Sequence, residues 1–259
     1  MPRLHLFEIH EQSWCPAVLR DGVRGVLQQI SSRLPAYERV LPSLLEAMDA
    51  VGTTEILDLC AGAGGPWVRI HRVLGSNRRI ERVRLTDLYP DVGAMRAMQR
   101  HTAGMVEPFE NSVDALDVPR DMPGLRTIFA AFHHFAPQEA RRLLADAVAN
   151  RRGIAVFELT ERTVVSTLFV AVGTWPLAFA FIPFVRPLRW SYLPLTYVIP
   201  LIPFILSFDG LVSCLRSYTP DELLAMGREV GPDYDWEAGR TPVKMSPLAV
   251  VHLTGVPRS

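Results

Sequence analysis

The chain has 259 residues, 49% of them hydrophobic and 21% charged, enough to bury the core of one large three-layer domain. Its 27 basic and 27 acidic residues cancel, so no global field draws it to nucleic acid or to anionic lipid. Cys15, Cys60 and Cys214 form neither a C-x-x-C pair nor a zinc pattern with histidine. With an opening segment that lacks a continuous apolar run, they predict a reducing, cytoplasmic setting.

Apolar residues at helical spacing predict two helices, Val18–Arg33 and Ala36–Ala50, with Pro35 separating them and starting the second. Strand and helix then alternate. EILDLC (Glu55–Cys60) predicts a short buried strand, followed by a glycine-rich turn and a helix over Pro66–Leu74. VRLTD (Val83–Asp87) is a second strand and VGAMRAMQRH a second helix; TIFAAF (Thr127–Phe132) and GIAVFEL (Gly153–Leu159) are further strands around the helix PQEARRLLADAVAN. Such alternation implies right-handed crossovers and a mainly parallel sheet. Near the end, TPDELLAMGREV places Thr219 at an N-cap, Pro220 at N1 and Glu222 at N3, a capping box. YDWEAG and LAVVHLTG follow with no helix between them, so they pair as an antiparallel hairpin.

The chemistry concentrates in ILDLCAGAGGPW. Asp58 lies near the end of the first strand, with Gly62 and Gly64 behind it, where a backbone without Cβ atoms comes close to a ligand. The helix starting at Pro66 aims its free N–H groups at the same crevice. A nucleoside triphosphate loop needs G-K-[ST], and Gly65 is followed by Pro66 and Trp67. A dinucleotide fingerprint beginning at Gly62 needs a small residue where Trp67 stands, which disfavours nicotinamide and flavin cofactors. S-adenosylmethionine remains: its amino-acid end carries no phosphate, and Asp58 can serve its ammonium. Asp87, closing the second strand in RLTDLYP, is placed to accept the ribose hydroxyls, with Leu88 beside it. In FENSVDALDVP, Asp114 can accept the adenine amino group beside Ala115, with Val113 or Leu116 against the ring.

D-x-C-x-G-x-G in ILDLCAGAGG, the acid of TDLYP, SVDALDVP, AAFHHFAP and the closing hairpin together resemble a class I S-adenosylmethionine-dependent methyltransferase. The resemblance covers roughly residues 55–159 and 219–256, and Cys60 replaces the first glycine of the family's [DE]-x-G-x-G-x-G pattern. It implies a Rossmann-like three-layer sandwich, a seven-stranded mostly parallel sheet whose last strand enters antiparallel beside the fifth. It also implies S-adenosyl-L-methionine as cofactor, held by Asp58, Cys60, Ala61, Gly62, Gly64, Asp87, Leu88, Asp114, Ala115 and Phe132. FEIHEQSWCPAVLRDG and FDGLVSCLRSYTPDEL resemble segments of a subgroup of small bacterial methyltransferases. The expected organisation is a single domain: a helical cap (1–50), a core (51–162 and 209–259) and an apolar insertion (163–208).

Methyl transfer is an in-line displacement that asks the protein to align a nucleophile and exclude water. An oxygen or nitrogen nucleophile gains from a base, and His133 or His134 in FHHF and Glu158 in VFELTER stand where an open α/β sheet binds ligands. Glu158 or Glu161 can instead pair with Arg162. Trp14, Trp67 and Tyr218 are expected around a small-molecule acceptor pocket, and no metal ligand set is evident. No Asn/Asp-Pro-Pro-aromatic segment follows the fourth strand and no basic stripe exists, which excludes a nucleic-acid acceptor.

Residues 163–208 hold two charges, Arg186 and Arg189, and many prolines. Two halves have the ~20 residues of a membrane span, but the prolines cut both, and the arginine bend argues against crossing. An apolar lid over the acceptor with Trp175 and Tyr197 among its walls, a homodimer face, a membrane-surface attachment and plain core packing against the two N-terminal helices all remain open.

Overall fold

The computed structural model describes residues 1–62, 64–75 and 79–258. Seven strands form one sheet in the order β3-β2-β1-β4-β5-β7-β6. They are β1 (Glu55–Leu59), β2 (Arg82–Leu85), β3 (Val106–Pro108), β4 (Leu125–Phe129), β5 (Ile154–Glu158), β6 (Tyr234–Pro242) and β7 (Ala249–Pro257). The first five pair in parallel, while β7 lies antiparallel between β5 and β6, in register Ile154↔Gly255 through Glu158↔Val251. β4 and β5 are buried along their whole length, as expected of central strands covered on both faces. Three-residue β3 has too little apolar periodicity to stand out in the sequence, and the hydrophobic pattern alone does not predict it.

Helices cover both faces. α2 (Leu41–Val51), α3 (Trp67–Leu74) and α4 (Val92–His101) pack one core, through Leu44, Met48, Ile70 and Met95. α5 (Pro137–Ala149) and α9 (Pro220–Val230) pack the other, through Leu143, Leu144, Leu223 and Met226. The capping box of α9 forms as expected: Glu222 N donates to Thr219 Oγ1 at 3.3 Å and Thr219 N to Glu222 Oε2 at 2.9 Å. The second predicted helix begins later than expected, at Leu41. Ala36 and Tyr37 are buried in the core as irregular chain, and a short 3₁₀ turn, Glu38–Val40, leads into α2.

The apolar insertion is a helical hairpin on a third core. α6 (Val164–Phe181) lies against α8 (Leu201–Arg216), with the short α7 (Pro194–Tyr197) at the bend, and both long helices rest on α1 (Ala17–Arg33). Small residues of α1 make this approach possible. A Cβ at Gly25 would stand 2.3 Å from Val185 Cγ1, and one at Gly22 would stand 2.7 Å from Ile202 Cδ1. α8 runs unbroken through the expected boundary at 208/209, so the insertion ends structurally at Arg216.

Candidate active site

Strand order reverses between β1 and β4, which opens a crevice at the carboxyl ends of the strands. β1 delivers the glycine turn into it. Cys60 is left-handed (φ 54°), a conformation that favours glycine, and it is followed by Gly62 (φ 52°) and Gly64 (φ 102°). A Cβ at Gly64 would meet Met98 Cε at 2.7 Å, so this position needs glycine for space as well as for conformation. Gly62 N donates to Asp87 Oδ2 at 2.8 Å and Tyr89 N to Asp87 Oδ1 at 2.9 Å, which joins the turn to the acid after β2. Val113 N donates to Asp87 O at 3.0 Å and Ser112 Oγ to Leu88 O at 2.7 Å. These bonds bring the loop of Asp114 to the same rim, where Asp114 and Leu88 are exposed and Ala115 is buried. Ala61 is pinned by its N–H to Thr86 O at 3.0 Å.

Asp58 lies behind this rim. Trp67 Nε1 donates to its Oδ2 at 2.7 Å and Thr127 Oγ1 to its Oδ1 at 2.6 Å. Burial raises its pKa to about 7, against the pull of those two donors. Trp67 is fully buried, edge-on to Phe129, and it serves Asp58 instead of lining an acceptor pocket. Burial, then Asp87, Asp58, Asp114 and Glu158 in turn, push the Cys60 thiol far up. Asp87 and Asp114 thus stand on the rim of the crevice, with Asp58 buried behind it.

A second group of polar residues sits at the ends of β4 and β5. Glu158 Oε1 accepts from Phe132 N at 2.6 Å and His133 N at 3.3 Å, and Glu158 Oε2 lies 2.6 Å from His133 Nδ1. His133 Nε2, buried and without a hydrogen-bond partner among the described residues, faces Glu8 Oε1 at 3.8 Å. Burial lowers the His133 pKa, but Glu158 and Glu8 outweigh it and raise it to about 9. Glu8 is held in turn by Arg216 Nη2 at 2.5 Å and Ser213 Oγ at 2.6 Å. Despite its burial, its carboxyl lies far below the usual range, because His133, His134 and Arg216 favour its charge.

His134 stacks beside His133, ring centroids 4.2 Å apart, with its Nδ1 2.8 Å from Arg216 Nη2 and 2.6 Å from Glu11 Oε1. Burial and His133 lower its pKa, against the opposing pull of Glu11 and Glu8. Glu8, His133 and His134 offer atoms within 4.8 Å of one another, a spacing that suits a metal ion. The Arg216 guanidinium, bonded to both Glu8 and His134, already supplies the cation there.

Two segments singled out in the sequence meet at this cluster. Asp209 Oδ1 accepts from Ile9 N at 2.6 Å and Asp209 Oδ2 from His10 N at 3.1 Å, so FEIHEQ is clamped onto FDGLVSCLR. Arg3 Nη2 donates to His133 O at 3.2 Å and Phe135 O at 3.0 Å, strapping the N-terminal segment over the β4 loop. Glu8, Glu11, Arg3 and Arg216 were not among the expected site residues, although Glu8, Glu11 and Arg216 lie within the two quoted segments.

Of the expected acceptor walls, only Tyr218 reaches this cluster, edge-on to Phe132 at 5.7 Å with its hydroxyl donating to Phe135 O at 2.8 Å. Phe132 is interior. Trp14 is 64% exposed, and Trp175 and Tyr197 lie out on the hairpin, each against Phe179. Arg162 pairs with neither Glu158 nor Glu161: it turns to Glu222 at 2.7 Å, while Glu161 binds Arg240.

Solved structures share this architecture. Human N-acetylserotonin methyltransferase, in complex with S-adenosylmethionine, aligns with 97% of this chain and 63% of its own at 14% identity, with a TM-score of 0.52. The methyltransferase SibL (18% identity, 86% of this chain, 56% of its own, TM-score 0.48) and mitomycin 7-O-methyltransferase (14%, 95%, 55%, 0.46) are further matches. The chain thus spans a little over half the length of each of these proteins. No protein-family model matches the sequence, and no curated protein matches it. The chain adopts the Rossmann-like fold of the S-adenosylmethionine-dependent methyltransferases.

Proposed function

We propose that the protein is an S-adenosylmethionine-dependent methyltransferase of a small apolar acceptor, most simply one that presents a hydroxyl group. The observation that carries this reading is the acid-rimmed crevice: Asp87 bonded to Gly62, Asp114 on the same rim, and Asp58 and Glu158 close enough to act on Cys60. Carboxylates repel a pyrophosphate and suit a ligand that carries a sulfonium and an ammonium. Asp87 would hold the ribose, Asp114 and Leu88 the adenine, and Asp58, through the turn, the amino-acid end. When bound, the cofactor supplies the electrophilic methyl group.

The remaining chemistry belongs to the chain. His133 has the geometry of a general base, with Nδ1 oriented by Glu158 and the unpartnered Nε2 turned the other way. Between two carboxylates it is protonated at neutral pH. It accepts a proton when pH approaches 9 or when Glu8 moves aside with the N-terminal segment. Glu158 positions both the ring and the β4 loop.

Titration of wild type and Asp87→Ala with S-adenosylmethionine and its demethylated product tests the cofactor reading. If neither binds the wild type, it fails. Turnover of His133→Gln and His134→Gln separates the base from its stacked neighbour, with loss expected at His133 alone.

A further inference from the structure

The helical hairpin presents an apolar surface that the methyltransferase core does not use. Within Val164–Phe184 only Ser166, Ala178 and Ile182 are buried. Val165, Leu168 and Val172 (70% exposed) repeat along the outer side of α6, and Val198 and Ile199 continue the exposed apolar surface at the bend into α8. No charged residue occurs from Thr163 to Val185 or from Trp190 to Phe208. The chain between α6 and α7 is different. Phe184 and Trp190 (80% exposed) project there, flanked in the chain by Arg186 and Arg189. Arg33 lies over the Phe184 ring at 4.5 Å, and Arg186 Nη1 donates to the carbonyls of Pro183 and Val185. Asp21, the one acid of α1, is already taken by Arg189 at 2.9 Å.

We propose that this hairpin docks the protein on an anionic phospholipid bilayer, with Trp190 and Phe184 in the interface and the flanking arginines on the headgroups. The inference does not rest on methyl transfer. An apolar face ending in aromatic residues flanked by arginine is the composition of an interfacial anchor. Arginines with one acid among them complement anionic headgroups, whereas a second copy brings the same charge to this tip.

A transmembrane hairpin does not fit the packing. Contrary to the sequence expectation, α6 runs unbroken through Pro176, but the segments Trp190–Tyr197 and Leu201–Arg216 of the other half meet at 71°. The second half of α8 is fastened to the N-terminal segment through Asp209 and Arg216, so the hairpin offers one face while the other stays in the protein.

The test uses the full chain with vesicles of phosphatidylcholine alone or mixed with phosphatidylglycerol, read by flotation at low and high salt. Wild type should float with the anionic vesicles and lose them at high salt. Arg186→Glu should weaken binding roughly fivefold or more, and Trp190→Ser about tenfold. Both variants should keep the wild-type unfolding midpoint, because these side chains are exposed. Absence of flotation, equal binding to neutral vesicles, or wild-type binding by both variants overturns the proposal. So does a stable dimer by light scattering that dissociates in Trp190→Ser, which would assign the face to a second copy. Cofactor titration of the same samples reports separately on the proposed activity.

Discussion

Replacing Glu8 by Gln removes one of the two negative charges that bracket His133 while keeping an amide oxygen for Arg216 and Ser213. The lost carboxylate oxygen stands 3.8 Å from His133 Nε2. At an effective dielectric near 20 that separation corresponds to about 4 kcal/mol. Arg216, 2.5 Å from the same oxygen, cancels a large part of it. The net expectation is a fall of roughly one to two pH units in the His133 pKa, each unit being about 1.4 kcal/mol. From a starting value of about 9, that brings the ring near neutrality. The measurement is an NMR titration of the ring Cε1–Hε1 signals, with the His133 signal assigned by its absence in His133→Gln. Turnover should rise with pH toward 9 in wild type and reach its plateau at lower pH in Glu8→Gln. An unchanged His133 titration in Glu8→Gln would refute the bracketing argument, whatever the variant's activity.

The stability of the fold should carry the same signature. The folded-state pKa of His133 is raised from 6.5 to about 9, so its contribution is complete below pH 6.5 and disappears as pH rises through 9. The difference, 9 minus 6.5, amounts to about 3 kcal/mol at most, and thermal melts of wild type against His133→Gln between neutral and alkaline pH should converge. Asp87→Ala should cost at least about tenfold in affinity for the demethylated cofactor, since two charge-assisted hydrogen bonds go with the carboxylate. Calorimetric titration reads this directly, and unchanged affinity would remove Asp87 from the cofactor site. Gly64→Ala should destabilise by roughly 2 kcal/mol, because the new methyl combines a positive φ with a 2.7 Å approach to Met98. Chemical denaturation checks this, and Cys60→Gly, which relieves a left-handed non-glycine residue, should do no comparable harm.

The alternation of buried strands with amphipathic helices was legible because periodicity reports which face of an element is apolar. It located β1, β2, β4, β5 and the final hairpin to within a few residues, and the glycine turn with Asp87 stood out because backbone space and strand-end acids follow local chemistry. Trp67 shows where such reasoning stops. A tryptophan beside a ligand turn reads as a pocket wall, yet its indole is the internal donor to Asp58. The start of α2 was displaced for a similar reason: Tyr37 found its place against Phe129 in the core without helical structure.

Composition and local pattern determined that this chain forms a three-layer α/β domain with an acid-flanked glycine turn and an apolar helical insertion whose two charges are Arg186 and Arg189. Tertiary structure decided what surrounds His133. Glu8 and Arg216 are 208 positions apart, and Asp209 reaches Ile9 across 200. Periodicity assigns a side chain to a face but never chooses its partner across such a distance. That choice belongs to the packing of α8 and the N-terminal segment over the ends of β4 and β5. There, burial strips water from Glu8, His133, Glu158 and Arg216, which pair with one another and with neighbouring backbone N–H and hydroxyl groups.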